Sequence, residues 1–298
     1  EQTAGRLVIY IDPRYDVPRL LTVKGGKGCR LDTLETYTEE NSASPEVLAR
    51  VVKEVQKRYP ASSYGLVLWS HGLGWVPPEY SFPGGYAMRL PDPDMPRTKY
   101  YAEDEHPGTT GKAYMDIREM AARLPGHFNF ILWDVCFMGG IEVAYELRNK
   151  TDYMIASPAE VISDGFPYEK IVPLFWGGEE AMKQICREYY NHYNKYPVNS
   201  LWRSAVVGLV KTEELEPLAA KVRTLLAGKT DYARAWHYPL NQGGLPMVFF
   251  DFGDYIRKMT TEEEYNSFKK LLDRVVIYKA ATEKLFGEEV PADKFSGL

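Results

Sequence analysis

Short apolar runs alternate along the chain with segments whose apolar residues recur every three or four positions. The runs predict buried strands and the spaced segments predict helices. The predicted strands are 7–11, 64–69, 128–133, 153–157, 206–210 and 247–250. The predicted helices are 45–58, 112–123, 139–150, 179–195, 213–227 and most of 253–285. This alternation predicts an α/β fold of three layers, with a mostly parallel sheet and helices on both faces.

The 298 residues allow one large α/β domain or two smaller ones. We predict a core over 1–230 and a helical C-terminal extension over 231–298 that packs on it. Residues 76–112 are rich in Pro, Gly, Tyr and Asp and show no periodicity. A segment of this length without regular structure is often functional, so we interpret it as a long surface excursion and a candidate processing loop.

Composition and charge narrow the class of protein. Hydrophobic residues make up 45% and charged residues 26%, which is typical of a soluble globular protein. The net charge is −5 and no cluster of Lys and Arg is interleaved with aromatic residues, so we expect no nucleic-acid partner. No apolar run is long enough to span a membrane. The chain opens on Glu1-Gln2-Thr3, which resembles a mature N-terminus and is compatible with export.

The chain has three cysteines, Cys29, Cys136 and Cys186. An odd number without a CxxC unit excludes complete disulfide pairing and does not favour a zinc ribbon. A free cysteine is ordinarily a small buried apolar residue, and we interpret Cys29 and Cys186 in this way. The histidines have neither the HExxH spacing nor the cysteine partners of a metal site, so the sequence does not support one built on them.

His71 and Cys136 each follow the end of a predicted strand. In an open α/β sheet, ligands bind beyond the carboxyl ends of the strands. The chain between the two strands is long enough to return for a parallel neighbour, which would bring a thiol and an imidazole to one cleft. A cysteine nucleophile needs such a base beside it. The sequence therefore predicts a Cys-His catalytic pair.

Two longer motifs carry a family resemblance. They are YGLVLWSHGLGW at 64–75 and FNFILWDVCFMGGIEVAYELRN at 128–149. The chain resembles the clostripain-type cysteine peptidases, whose caspase-like fold is shared with gingipains, legumains and separase. The resemblance is clear over 64–75 and 128–168, and it implies an endopeptidase with a caspase-like three-layer core.

The resemblance also implies a role for each site residue. His71 is the implied general acid and base, Cys136 the nucleophile, and the N–H groups of Gly72 and Cys136 the oxyanion hole. Asp134 and Asp164 are the implied acids of the S1 pocket, which holds the residue before the scissile bond (P1). Two acids there favour P1 Arg or Lys, because a buried carboxylate binds a cation far better than a neutral side chain.

Further expectations follow from the same resemblance. We expect a secreted or cell-surface monomer that acts on protein or peptide substrates and is activated by self-cleavage. The candidate cleavage sites are Arg89, Arg97, Lys99 and Lys112. The chemistry requires no cofactor, and calcium is kept as an optional ion because some relatives use it. No EF-hand spacing is present, and we interpret the acidic residues between 92 and 105 as a solvated loop. Leu73, Phe137 and Gly140 differ from the common pattern of the family.

Two alternatives belong to other classes. One is a cysteine-dependent amidase that acts on a non-peptide amide. The other is a pseudo-peptidase that keeps the fold as a binding module. The presence of both His71 and Cys136 favours an enzyme over the binding module.

Overall fold

A computed structural model describes residues 5–24, 30–76, 115–229, 234–240 and 248–298. The predicted excursion at 76–112, with its candidate cleavage sites, therefore lies almost wholly outside the described residues, as does Cys29. In the described part the strands are β1 Val8–Ile11, β2 Arg19–Lys24, β3 Arg30–Thr36, β4 Gly65–Trp69, β5 Phe128–Asp134, β6 Thr151–Ala156, β7 Val206–Lys211, β8 Val276–Ala281, β9 Lys284–Leu285 and β10 Glu288–Glu289. The helices are α1 Pro45–Arg58, α2 Ile117–Arg123, α3 Ile141–Glu146, α4 Tyr168–Ile171, α5 Glu179–Asn194, α6 Leu215–Leu226, α7 Phe252–Met259 and α8 Glu262–Val275.

Contacts group these elements into two compact units. The first contains β1, β2 and β3, which form an antiparallel sheet in that order, together with α1 and α2. α1 begins at an N-cap, Ser44, whose side chain accepts a hydrogen bond from the N–H of Glu46. The predicted strand at 7–11 thus exists as β1, but it belongs to this small sheet and is only partly buried.

The second unit contains a five-stranded sheet in the order β4-β5-β6-β7-β8. β4, β5 and β6 pair in parallel, and β7 is antiparallel to both β6 and β8. Four of the five strands therefore run in one direction. The mostly parallel α/β sheet flanked by helices that the sequence predicts is confirmed.

The core lies on the two faces of this sheet. Because side chains alternate along a strand, Leu132, Ile155 and Leu209 share one face with the buried side of α5. The opposite face holds the intervening residues, and there α6 packs against α3 and α8. Both faces are covered, which explains the nearly continuous apolar character of β5 and β7.

Three predicted elements need correction. Residues 276–281, predicted within a helix, form β8 at the edge of the sheet, where Val276, Ile277 and Tyr278 suit a strand better than a helix. At 248–250 only Phe250 pairs, in a single bridge with His237, so the predicted strand there is wrong. α3 is six residues long rather than the predicted twelve, because the chain turns at Leu147–Lys150 to enter β6. The predicted boundary at residue 230 stays a prediction.

Hydrogen bonds to the buried carboxylate of Asp251 hold the C-terminal segment in place within the second unit. Asp251 Oδ2 accepts hydrogen bonds from the Tyr238 hydroxyl and the Ser296 N–H, both at 2.7 Å, and Oδ1 accepts one from the Asp254 N–H at 3.0 Å. Burial raises the pKa of Asp251. The segment beyond Ser296 passes over β7, where a side chain at Gly208 would collide with the Gly297 carbonyl.

Asp251→Asn should lower the free energy of unfolding by about 2–3 kcal/mol, because all three partners are donors and an amide nitrogen cannot accept from them. Urea denaturation measures this change. The matched control is Asp273→Asn, an exposed carboxylate on α8 whose ion pair with Lys269 should contribute less than about 1 kcal/mol. Equal effects of the two substitutions would contradict the anchoring role of Asp251.

Candidate active site

The ends of β4 and β5 lie side by side. The two strands are parallel neighbours, and their last residues, Trp69 and Asp134, are register partners. His71 and Cys136 each follow two residues later. Equal offsets from a paired position bring the two segments out of the sheet at the same edge, as the sequence predicts.

Two glycines let the His71 segment touch the Cys136 segment. A side chain at Gly72 would collide with Val135 Cγ1 and lie 3.0 Å from the Cys136 carbonyl oxygen. Gly74 has φ +56°, and a Cβ there would lie 2.5 Å from the Phe137 carbonyl oxygen. Only a bare backbone fits at these positions, so the glycines around His71 hold the two segments in contact.

Hydrogen bonds hold the loop that carries Cys136 against the segment that follows β6. The Phe137 N–H donates to the Ala159 carbonyl at 2.9 Å, and the Gly139 N–H donates to the Ser157 carbonyl at 2.8 Å. The Val161 N–H donates to Cys136 Sγ at 3.1 Å. The thiol thus has a backbone donor directed at the atom that would carry negative charge as a thiolate.

This arrangement changes one expectation. The predicted helix at 139–150 would place Cys136 just before a helix N-terminus, whose dipole would favour the thiolate. α3 begins only at Ile141 and is six residues long. The donor that reaches the sulfur comes instead from Val161, twenty-five residues further along the chain.

Phe137 has an unusual backbone conformation. Its φ is +62°, in the left-handed region that bulky residues rarely occupy. Its ring stacks on Phe249, with centroids 4.1 Å apart and planes 8° from parallel. Phe249 Cε1 would also lie 3.2 Å from a Cβ at Gly74. One buried aromatic residue therefore contacts both the His71 and the Cys136 segments.

The side chains of His71 and Cys136 differ in solvent exposure. His71 is exposed, whereas Cys136 has 0% relative exposure. The second described cysteine, Cys186, is also fully buried, on α5, and burial strongly raises the pKa of its thiol. The structural role expected of Cys186 agrees with this environment, because an apolar site keeps a thiol protonated and inert.

Asp134 is buried beneath the loop after β6. Its Oδ2 accepts hydrogen bonds from the Tyr168 hydroxyl at 2.9 Å and the Phe166 N–H at 3.4 Å. Gly165, with φ +68°, passes so close that a Cβ would lie 2.7 Å from Asp134 Oδ1. Asp134, two residues before the thiol, is therefore held in place by hydrogen bonds from the residues that follow β6.

Asp164 lies in that same loop but its side chain is exposed. The Gly165 N–H donates to the Ile162 carbonyl, which closes a tight turn around Asp164. The two acids thus share one loop environment, one buried and one at the surface. Sequence reasoning did not find the tyrosines around Asp134, namely Tyr168, Tyr189 and Tyr193, although the four-residue spacing of Tyr189 and Tyr193 on α5 was available as a signal.

No group of three or more His, Cys, Asp or Glu side chains within the described residues is arranged to hold a metal ion. The acidic positions between 92 and 105 lie outside that part of the chain. Nor do the described helices include one long and apolar enough to cross a lipid bilayer.

The model of the clostripain family matches residues 2–289. The chain therefore belongs to the clostripain family of cysteine peptidases. Clostripain from Hathewaya histolytica is 27% identical over 169 residues, which cover 51% of this chain and only 30% of that protein.

Two solved structures are similar along nearly the whole chain. An inactive zymogen C11 protease from Parabacteroides distasonis is 35% identical with a TM-score of 0.78, covering 99% of this chain and 80% of that one. A secreted C11 cysteine protease from Bacteroides thetaiotaomicron, in complex with an irreversible peptide inhibitor, is 27% identical with a TM-score of 0.74, covering 97% and 77%. The fold and family that the motifs imply are confirmed.

Proposed function

We propose that this chain is a cysteine endopeptidase that cleaves peptide bonds after Lys or Arg by means of His71 and Cys136. The observation that carries the proposal is the contact between the His71 and Cys136 segments at adjacent parallel strand ends. A pseudo-peptidase would not need this contact, and a non-peptide amidase would not need the buried acid beside it.

The chemistry follows from the two side chains. The Cys136 thiolate attacks the carbonyl carbon of the scissile bond, and the imidazole of His71 gives a proton to the departing amine as the C–N bond breaks. The resulting thioester is then hydrolysed by a water molecule that His71 deprotonates. No step requires a metal ion or a cofactor.

Backbone N–H groups stabilise the charge that develops. In this proposal the N–H groups of Gly72 and Cys136 bind the oxyanion of the tetrahedral intermediate, each contributing about 3 kcal/mol. The close approach of Gly72 to the Cys136 carbonyl supports this assignment, since it places both backbones at one side of the cleft. The Val161 N–H at 3.1 Å would stabilise the thiolate itself.

Asp134 gives the preference for a basic P1 residue. A Lys or Arg side chain offers a cation to this buried carboxylate, and a neutral side chain cannot make that interaction. Asp164, on the loop that covers Asp134, would add negative charge at the mouth of the S1 pocket and attract the cation. Both assignments are part of the proposal.

The protein would be made in a latent form. Cys136 and Asp134 each have 0% exposure, so a substrate reaches them only after the site opens. One similar structure is itself described as an inactive zymogen. We therefore include self-cleavage between residues 76 and 112 in the proposal. Export is supported by the similar structure that is described as secreted, and we also expect a monomer.

A panel of fluorogenic peptides that differ only at P1 tests this function. Purified protein, intact and after limited tryptic nicking, should cleave the Lys and Arg peptides at least about a hundredfold faster than a norleucine peptide. Cleavage of the norleucine peptide at the same rate as the Lys and Arg peptides would contradict the proposed specificity for a basic P1 residue. Cleavage of none of them would favour the binding module.

Gly72→Ala should lower kcat/KM by about a hundredfold while the protein stays folded. The added methyl collides with Val135 and presses on the Cys136 carbonyl, and a displacement of about 1 Å at reacting groups has this order of cost. The matched control is Gly178→Ala, where no heavy atom lies within 4 Å of the new methyl. If Gly72→Ala keeps full activity, the two segments do not depend on their contact.

A further inference from the structure

Phe137, the residue that follows Cys136, has a backbone conformation that suits glycine better than phenylalanine. Its φ of +62° lies in the left-handed region, where a side chain crowds the following carbonyl oxygen. This conformation places both of its backbone groups: the N–H donates to the Ala159 carbonyl at 2.9 Å, and the carbonyl oxygen lies against the bare backbone of Gly74. A rotation of φ to negative values cannot keep both contacts, so the strain and the shape of the Cys136 loop are linked.

The ring of Phe249 opposes such a rotation. It stacks on the Phe137 ring with centroids 4.1 Å apart and planes 8° from parallel, and both side chains are buried. If the Phe137 backbone turned, its ring would leave this contact and a gap would open in the core. The stack therefore offsets the cost of the left-handed conformation. The same ring limits the His71 segment, because its Cε1 would lie 3.2 Å from a Cβ at Gly74.

Phe249 is held by hydrogen bonds outside both catalytic segments. Its carbonyl accepts the N–H of Tyr238 at 2.9 Å, and the Asp251 N–H donates to the Trp236 carbonyl at 2.9 Å. The Asp251 carboxylate also accepts the Tyr238 hydroxyl at 2.7 Å. A well-anchored part of the chain, far beyond Cys136 in sequence, thus presents the ring to the site.

We propose that Phe249 is a positioning residue of the active site, which keeps the Cys136 thiol within reach of the His71 imidazole. Its ring acts on both segments, because it holds Phe137 in the left-handed conformation and packs beside Gly74. This inference rests on the proposed peptidase function, and it gives the predicted C-terminal extension at 231–298 a part in catalysis.

Phe249→Leu tests the proposal, because leucine keeps the position apolar but removes the flat ring. For a Lys peptide, kcat should fall about tenfold to a hundredfold, the order of cost of a small displacement of reacting groups, while KM changes less than about threefold. An Arg peptide should lose the same factor. The matched control is Phe268→Leu on α8, a fully buried phenylalanine that meets Phe252 edge-on. It should lower the melting temperature by a similar amount and leave kcat within about twofold.

The pH dependence of alkylation reports the pairing of thiol and imidazole without a peptide substrate. Protein nicked between residues 76 and 112 is treated with iodoacetamide at a series of pH values, and peptide mapping quantifies the adduct on Cys136. A thiol beside an imidazolium ionises at lower pH than an isolated thiol, whose pKa is about 8.5. Phe249→Leu should therefore raise the pH of the half-maximal rate by at least about half a unit, and Phe268→Leu should leave it unchanged.

Two substitutions of Phe137 isolate the strained backbone, because alanine and glycine both remove the ring. Only glycine adopts a φ of +62° without cost. Phe137→Gly should therefore keep a kcat about fivefold to tenfold higher than Phe137→Ala. Equal kcat values would mean that the left-handed conformation is not what the stack maintains, and would overturn the inference.

The inference is also overturned if Phe249→Leu leaves the midpoint of the alkylation profile unchanged, or if Phe268→Leu lowers kcat by the same factor. If the unmodified protein cleaves no peptide, the proposed function fails, and the alkylation profile still decides whether Phe249 positions the thiol. If the unmodified protein cleaves the Lys peptide and Phe249→Leu changes neither kcat nor the profile, only the inference fails.

Discussion

Replacing Cys136 by alanine is expected to lower kcat/KM for a Lys peptide by at least about 10⁴-fold and to abolish self-cleavage. Removing the nucleophile of a covalent mechanism leaves only the contributions of binding and of the oxyanion hole. Cys136→Ser should be almost as inactive, because a hydroxyl is a far weaker nucleophile than a thiolate near neutral pH. Initial rates and mass spectrometry of the purified protein measure the two effects.

Cys186→Ala is the control for this prediction. Both thiols have 0% exposure, but Cys186 lies on α5 within the apolar core and does not follow the end of a strand. Its substitution should cost about 1 kcal/mol of stability and leave the rate unchanged. Self-cleavage that persists in Cys136→Ala would assign the processing to a contaminating protease, and peptide cleavage that persists would remove Cys136 as the nucleophile.

The second large effect is expected for Asp134→Asn, which should lower kcat/KM for Lys and Arg peptides by about a hundredfold or more. A buried ion pair that loses one partner costs about 3–5 kcal/mol, and about 1.4 kcal/mol corresponds to a factor of ten. A norleucine peptide makes no such pair, so its rate should change little. The ratio of the two kcat/KM values is therefore the informative quantity.

Asp251→Asn is the control that separates a loss of P1 specificity from a general loss of stability. Asp251 is an equally buried carboxylate with hydrogen-bond donors on both oxygens, but it anchors the C-terminal segment. Its substitution should lower stability without changing the ratio between Lys and norleucine peptides. Equal losses on both peptides in Asp134→Asn would reassign Asp134 to holding the loop through Tyr168 and Phe166.

The hydrophobic pattern was sufficient to predict four of the five strands of the central sheet. The runs at 64–69, 128–133 and 206–210 are covered on both faces, and a strand that is buried on both faces is easy to recognise. β8 was missed because it begins at Val276, directly after α8 ends at Val275, with no Gly or Pro between them to mark the end of the helix. β2 and β3 have mixed polarity and lie in a separate small sheet, where one-sided burial weakens the signal.

The positions of His71 and Cys136 were also predictable, because strand ends in a parallel sheet point to one edge. The environment of the Cys136 thiol was not predictable from the sequence. Its donor, Val161, and the ring that contacts both segments, Phe249, are distant in sequence and meet Cys136 only through tertiary packing. The same holds for Tyr168, whose hydroxyl donates to Asp134 from thirty-four residues further along the chain.

The most direct test of the central claim is covalent labelling with a peptidyl chloromethyl ketone that bears lysine at P1, followed by peptide mapping. The thiolate displaces chloride to form a thioether. We expect a single adduct on Cys136 after the protein has been nicked between residues 76 and 112, and no adduct when His71 is replaced by alanine. Labelling at Cys29 or Cys186 instead, or no labelling of the nicked protein, would contradict the account.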